Sequence, residues 1–132
     1  MVCRQKREQM EDLTVDLVKA IHTRIMAEER GDCHLISEAN LHQMVFQANL
    51  IPDCVPRAAF VFYSLCAYPA FREGNSATAL AATEQVLATG GYRITGKRDG
   101  VMVLAEGILA FTTEPEEIEQ WLNNNVEKST SR

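Results

Sequence analysis

Near the middle of the chain runs Ala58-Ala59-Phe60-Val61-Phe62-Tyr63-Ser64-Leu65-Cys66-Ala67, a segment with almost nothing to offer water. A helix that is apolar on every side has no solvent face, so this run predicts a central helix surrounded by others. It is too short to cross a membrane. Asp53 can cap the helix, and Pro56 falls early enough in the first turns to be tolerated.

The remaining segments supply the surround. From Leu13 to Arg30 the apolar residues Leu13, Leu17, Ile21 and Ile25 recur every four positions, with Val18 and Met26 widening the stripe. Gly31 is expected to end that helix, and His22 borders the stripe, where a histidine hydrogen-bonded inside the fold is the expected reading. A second helix from Ser37 to Asn49 is capped by Ser37 and buries Leu41, Met44 and Val45. Ser76 to Thr89 places Ala79, Leu80, Ala82, Val86 and Leu87 at helical spacing, and Gly90-Gly91 supplies a left-handed stop. Asp99 is expected to cap a helix through Gly100 to Ala110, and Thr113 with Glu116 to form a capping box ahead of Ile118, Trp121 and Leu122. The fold expected is therefore all-α, about six helices in one domain, with room for a short flap or hairpin between Asn49 and Pro56. With 132 residues, 46% of them hydrophobic, the chain can build one core but not comfortably two. The domain is expected over residues 11–124, between a polar N-terminal tail of residues 1–10 and a C-terminal tail of residues 125–132.

Charge and cysteine usage exclude several function classes. A net charge of -5 argues against a surface built to neutralise phosphates, so nucleic acid is not an expected partner. Residues 1–10 carry no apolar core of the kind a signal peptide needs, and no apolar run approaches a membrane span; a cytoplasmic protein that does not engage membranes is expected. Cys3, Cys33, Cys54 and Cys66 show no close paired spacing of the kind structural zinc sites use. Cys33-His34 is the one adjacent ligand pair, and it would need two ligands from elsewhere.

The segment Tyr68-Pro69-Ala70-Phe71-Arg72-Glu73-Gly74-Asn75-Ser76-Ala77-Thr78-Ala79-Leu80 is a polar glycine loop feeding directly into a helix. Successive backbone N–H groups around Gly74 and Asn75 at a helix N-terminus form a concavity suited to an anion. Arg72 and Ser76 are the neighbouring side chains that could touch a phosphate, and Glu73 could hold a hard cation such as Mg²⁺. The plainer alternative is that Asn75 serves only as a helix cap and Gly74 only as a turn residue.

This stretch resembles the signature of the Fic/Doc (death-on-curing) family, His-x-Phe-x-Asp/Glu-Gly/Ala-Asn-x-Arg, followed in Doc-like members by Thr-Ala-Leu. Phe71, Glu73, Gly74 and Asn75 match in register, and Thr78-Ala79-Leu80 continues the match. The resemblance extends from about Leu13 to Leu122 through His22 with Gly31, the apolar Ala58 to Ala67 run, Gly90-Gly91-Tyr92, and Glu117 to Leu122. It implies a helical Fic/Doc-like domain in which Phe71 packs beneath the loop, Glu73 binds Mg²⁺ and the Gly74-Asn75 backbone cradles the phosphates of ATP or another nucleotide. Two departures alter the implied chemistry. Pro69 stands where the family has its catalytic histidine, and Ala77 stands where it has the phosphate-neutralising arginine; Ser76 replaces a lysine of Doc-like members.

General-base catalysis is typically worth about 10²–10⁴ in rate, and one lost charge-stabilising donor costs a further ~10²–10³. Tyr68, one residue from the base position, is the candidate substitute base, although a phenol is as a class a poor base at neutral pH. The resemblance thus implies a degenerate toxin relative, a pseudoenzyme acting as a protein-binding or regulatory module. The alternative is an active phosphoryl or nucleotidyl transferase, modifying a protein hydroxyl through a displaced base. Family members are restrained by an inhibitory helix from an antitoxin partner or from the chain itself. Met102-x-x-x-Glu106-Gly107 comes nearest to the inhibitory motif but starts with the wrong residue, so an antitoxin-like helix from a protein partner is the form the resemblance leaves.

Overall fold

The computed structural model describes residues 10–129. Among them, six helices and one small sheet follow in the order α1 (Val15–Glu29), α2 (Glu38–Asn49), α3 (Cys54–Ala67), α4 (Asn75–Thr89), β1 (Tyr92–Ile94), α5 (Arg98–Leu109), α6 (Pro115–Asn125) and β2 (Val126–Lys128). The domain is all-α, as its periodicities predict.

Its centre is α3, which packs against α2, α4, α5 and α6. Val61, Phe62, Leu65 and Cys66 are buried, while Phe60, Tyr63 and Ala67 are half-buried, Phe60 and Tyr63 on the side toward α2. Fully burying a side chain of this size contributes roughly 1.5–3 kcal/mol, so the run with almost no polar residues is also the segment that anchors the core. Leu41, Met44, Val45 and Ala48 of α2, and Ala79, Leu80, Val86 and Leu87 of α4, close over it. Val101, Ala105 and Ile108 of α5 and Ile118 and Leu122 of α6 complete the cluster.

Several local expectations are corrected. No flap or hairpin forms between Asn49 and Pro56: α2 runs to Asn49 and Leu50 continues right-handed as its C-cap. The reason lies in Arg57, whose buried guanidinium takes the corner's carbonyls. Its Nε donates to Ile51 O at 2.9 Å, and its Nη2 donates to Asn49 O at 3.3 Å. At the end of α1 it is Arg30, with φ 57°, that turns left-handed; Gly31 N–H follows by donating to Met26 O at 2.8 Å. The N-cap of α5 is Lys97, with Asp99 inside the first turn. The capping box before α6 joins Glu114 to Glu117 rather than Thr113 to Glu116. Pro115 decides that register, because a proline is preorganised for the first helical position.

The C-terminal tail expected over residues 125–132 also changes. Asn125 ends α6, and Val126–Lys128 pairs antiparallel with Tyr92–Ile94, Tyr92 opposite Lys128 and Ile94 opposite Val126. Gly91, at φ +86°, makes the left-handed turn that aims β1 at this partner. Of the two expected tails, residues 1–9 and 130–132 lie outside the described residues.

Candidate functional site

The motif loop leaves α3 at Tyr68 and enters α4 at Asn75, held along both edges. On the outer edge it lies against the chain joining α1 to α2, where Leu35 and Phe71 form an isolated antiparallel bridge. Ile36 N–H and Ser37 N–H both donate to Ala70 O, at 2.7 and 3.0 Å, and Arg72 N–H donates to His34 O at 3.0 Å. From α2, Asn40 Nδ2 donates to Pro69 O at 3.2 Å.

On the inner edge stands His22 of α1, fully buried. Its imidazole stacks on Phe71 with ring centroids 3.7 Å apart and planes 9° from parallel. Nε2 lies 2.8 Å from Glu73 O. A carbonyl can only accept, so Nε2 carries the proton and donates. His22 thus has the interior, hydrogen-bonded place expected of it, and Phe71 packs beneath the loop.

Asn75 does not cap the helix. The N-cap is Gly74, at φ 80° and ψ 16°, and Asn75 is the first helical residue. The carboxamide turns back on the loop instead: Nδ2 donates to Phe71 O at 2.8 Å and Oδ1 accepts from Phe71 N–H at 3.2 Å. A glycine is required before it, since the left-handed conformation disfavours side chains and a Cβ there would collide with the Met26 thioether.

The other expected site residues separate in space. Glu73 is exposed, and its carboxylate reaches back toward Gly31, where an added Cβ would sit 3.2 Å from Oε1. The Arg72 guanidinium pairs with Asp32 at 3.6 Å. Ser76 presents its hydroxyl to Cys66 of α3. Burial pushes the Cys66 thiol up to about 11, and the Ser76 hydroxyl offsets part of that rise. Tyr68 is 62% exposed at the loop's start. Pro69 and Ala77 are half-buried, with neither a proton acceptor nor a charge to offer.

What this arrangement could hold follows from its donors. The first-turn N–H groups of Asn75, Ser76 and Ala77 have no acceptor within their own helix, as at any helix N-terminus. Among the described residues, however, no group of three or more His, Cys, Asp or Glu side chains gathers to hold a metal ion. Glu73 is a single carboxylate, and the Arg72 guanidinium beside it in sequence lies opposite Asp32. These side chains do not fit a magnesium nucleotide, whose phosphate charge would find no neutralising partner.

Two structural groups were not anticipated. Arg57 is 4% exposed, and its Nη1 donates to Glu11 O at 3.4 Å and lies 3.5 Å from the Asp12 carboxylate. Its signal in the sequence is a lone cation in the first turns of an otherwise apolar helix. Thr78, fully buried on α4, has a hydroxyl without a hydrogen-bond partner among the described residues. Compared with models of known protein families and with curated proteins, the chain finds no match in either.

Proposed function

We propose that this chain is a degenerate Fic/Doc-like domain, catalytically impaired, that acts as a protein-binding or regulatory module. The observation that carries the reading is the engagement of the loop's polar groups in holding the loop itself. Asn75 closes a two-bond ring with Phe71, and His22 donates to Glu73 O. Pro69 then stands where a base would be needed, and Ala77 where a phosphate-directed cation would be needed. On this reading the loop keeps Phe71, Glu73, Gly74 and Asn75 of a transferase motif and lacks its base and its cation. Loss of a general base alone removes about 10²–10⁴ in rate. The resemblance makes an antitoxin-like helix the kind of partner to expect.

The test is to incubate the protein with Mg²⁺, a cell extract, and ATP labelled in the α or the γ phosphate. No labelled protein above background is the expected result. Labelling that disappears in Glu73→Ala would overturn the reading, and Tyr68→Phe would then report whether the tyrosine serves as a displaced base.

A further inference from the structure

The most exposed large apolar side chain among the described residues also sits on strained backbone. Helix α5 ends at Leu109 with Ala110 as its cap, and the chain closes back on it: Phe111 N–H donates to Ile108 O at 3.1 Å and Thr112 N–H to Gly107 O at 2.8 Å. The turning residue of such a closure is left-handed, and glycine is its usual occupant because that region disfavours side chains. Here it is Phe111, at φ 62°. Arg30 is the other side-chain-bearing residue with positive φ among those described, and it is polar. Phe111 is 93% exposed, and Leu109 beside it is exposed as well. The backbone conformation and the ring held in water both cost free energy, and a ring this exposed recovers neither from contacts inside its own domain.

A receptacle of matching chemistry lies a few residues away. A groove of about 660 Å³ opens between α2 and α3, with Pro115, Glu116 and Glu119 of α6 along one side. Its lining includes the aromatic rings of Phe60 and Tyr63, both half-buried. Phe111 precedes Pro115 by four residues, at most about 14 Å of extended chain. The exposure of its ring shows that it is not seated in the groove of its own chain.

We infer that Phe111 of one copy of this chain seats in the α2–α3 groove of a second copy, and that the exchange is mutual in a twofold dimer. The inference goes beyond the module reading and does not depend on it. What selects the occupant is that this chain carries both halves of the contact, an unpartnered aromatic plug and an aromatic-lined groove, close together at the start of α6. A twofold rotation that seats one plug seats the other as well, and so closes the assembly. Ring against ring, Phe111 gains from packing on Phe60 and Tyr63 beyond the area it buries. The dimer is weak. Two aromatic plugs burying roughly 150–250 Å² each contribute only part of the ~1,200 Å² of a stable interface. A net charge of -5 on each copy, with Glu116 and Glu119 beside the groove, opposes the approach.

Sedimentation equilibrium on the full chain tests it. The parent is expected to dimerise with a Kd on the order of 10 µM, and to dimerise more tightly as salt screens the like charges between about 0.05 and 0.5 M. Phe111→Gly removes the plug and suits the left-handed turn. It is expected to weaken the dimer at least ~10-fold while raising the urea midpoint of the monomer, measured well below the dimer Kd. Gln43→Glu/Gln47→Glu changes two exposed positions on the groove wall to residues of the same shape, with helicity checked by circular dichroism. Carboxylates there are costly to cover with a phenyl ring, so this variant also dimerises weakly. Mixed in equal amounts, the two variants restore one intact plug-and-groove contact, and the mixture is expected to associate more tightly than either variant alone. A parent that stays monomeric at about 200 µM, far above the expected Kd, would overturn the inference and leave ring and groove to other occupants. A dimer that survives Phe111→Gly, one that loosens with salt, or a mixture no tighter than its components would overturn it too. So would a lower urea midpoint in Phe111→Gly, since the ring would then be held within its own domain.

Discussion

The imidazole of His22 lies flat against the ring of Phe71, 3.7 Å between centroids, while its Nε2 donates across to Glu73 O two residues further along the same loop. One side chain of α1 therefore fixes the loop by stacking on one residue and bonding the backbone of another. Its two functions can be separated by substitution. His22→Leu keeps most of the apolar contact and loses the donor, and is expected to destabilise by about 1–2 kcal/mol. His22→Ala also leaves a cavity, and is expected to cost about 3 kcal/mol or more. Urea unfolding followed by circular dichroism measures both. Equal costs for the two variants would mean that the stack contributes nothing beyond the hydrogen bond.

The helical frame was legible because its largest signals are redundant. The Ala58 to Ala67 run has no polar face in the sequence, and Ser37 caps α2 through Asn40 N–H at 3.1 Å, as a serine ahead of an apolar stripe should. Where two registers satisfy the same rule, the sequence alone does not choose: Thr113 with Glu116 and Glu114 with Glu117 have the same spacing, and Pro115 settles it. The β1–β2 pair escaped because three-residue strands such as Tyr92-Arg93-Ile94 carry too little alternation to register, and their pairing joins segments far apart in sequence. Within the site, the loop and its Phe71 anchor were readable, but the reversal of the Asn75 side chain onto Phe71 was not. An asparagine at a helix start satisfies helix and loop equally well until the left-handed Gly74 assigns the cap.

Cys66 gives a pH prediction whose sign is fixed by burial. Its folded thiol is raised from 9.0 to about 11, so between those values the unfolded chain has lost a proton that the folded chain keeps. Stability contributed by this group is complete below pH 9 and declines as pH rises through about 11. The decline amounts to at most about 3 kcal/mol for a shift of this size. Comparing the parent with Cys66→Ala in urea across that interval isolates the effect, because the variant should have the shallower slope. Parallel slopes would show that the thiol ionises as readily in the fold as out of it.

Thr78 is fully buried at the start of α4, and its hydroxyl has no partner among the described residues. A hydroxyl taken from water without a compensating bond costs roughly 1–3 kcal/mol in proteins. Thr78→Val replaces it with a methyl group of similar shape and is expected to stabilise the protein by about 1 kcal/mol, seen as a higher urea midpoint at unchanged slope. A lower midpoint would mean that the hydroxyl is satisfied in solution.

The last prediction concerns what chemistry the loop from Tyr68 to Asn75 could be given. The loop's shape depends on Phe71, Gly74 and Asn75, none of which is a charge-bearing group, so chemistry can be added without disturbing the clamp. Ala77 is half-buried in the first turn of α4, close to the N–H groups of that turn. An arginine there would place a guanidinium, capable of bidentate charge-assisted bonds, beside the backbone concavity. It would supply the phosphate-neutralising cation that Arg72, paired with Asp32, does not. Calorimetry with Mg-ATP is expected to show weak or no binding to the parent and a gain of at least ~10-fold in Ala77→Arg. Pro69→His alone should leave affinity near the parent's, because a base acts on the hydroxyl and not on the nucleotide. The double variant Ala77→Arg/Pro69→His should then transfer label from ATP to a protein hydroxyl, since base and cation are both present. Helicity measured on each variant separates a lost fold from a lost site. If Ala77→Arg folds and gains no affinity, the helix start does not accept phosphate, and the proposed kinship with a transferase loop gives way to a turn that only starts a helix.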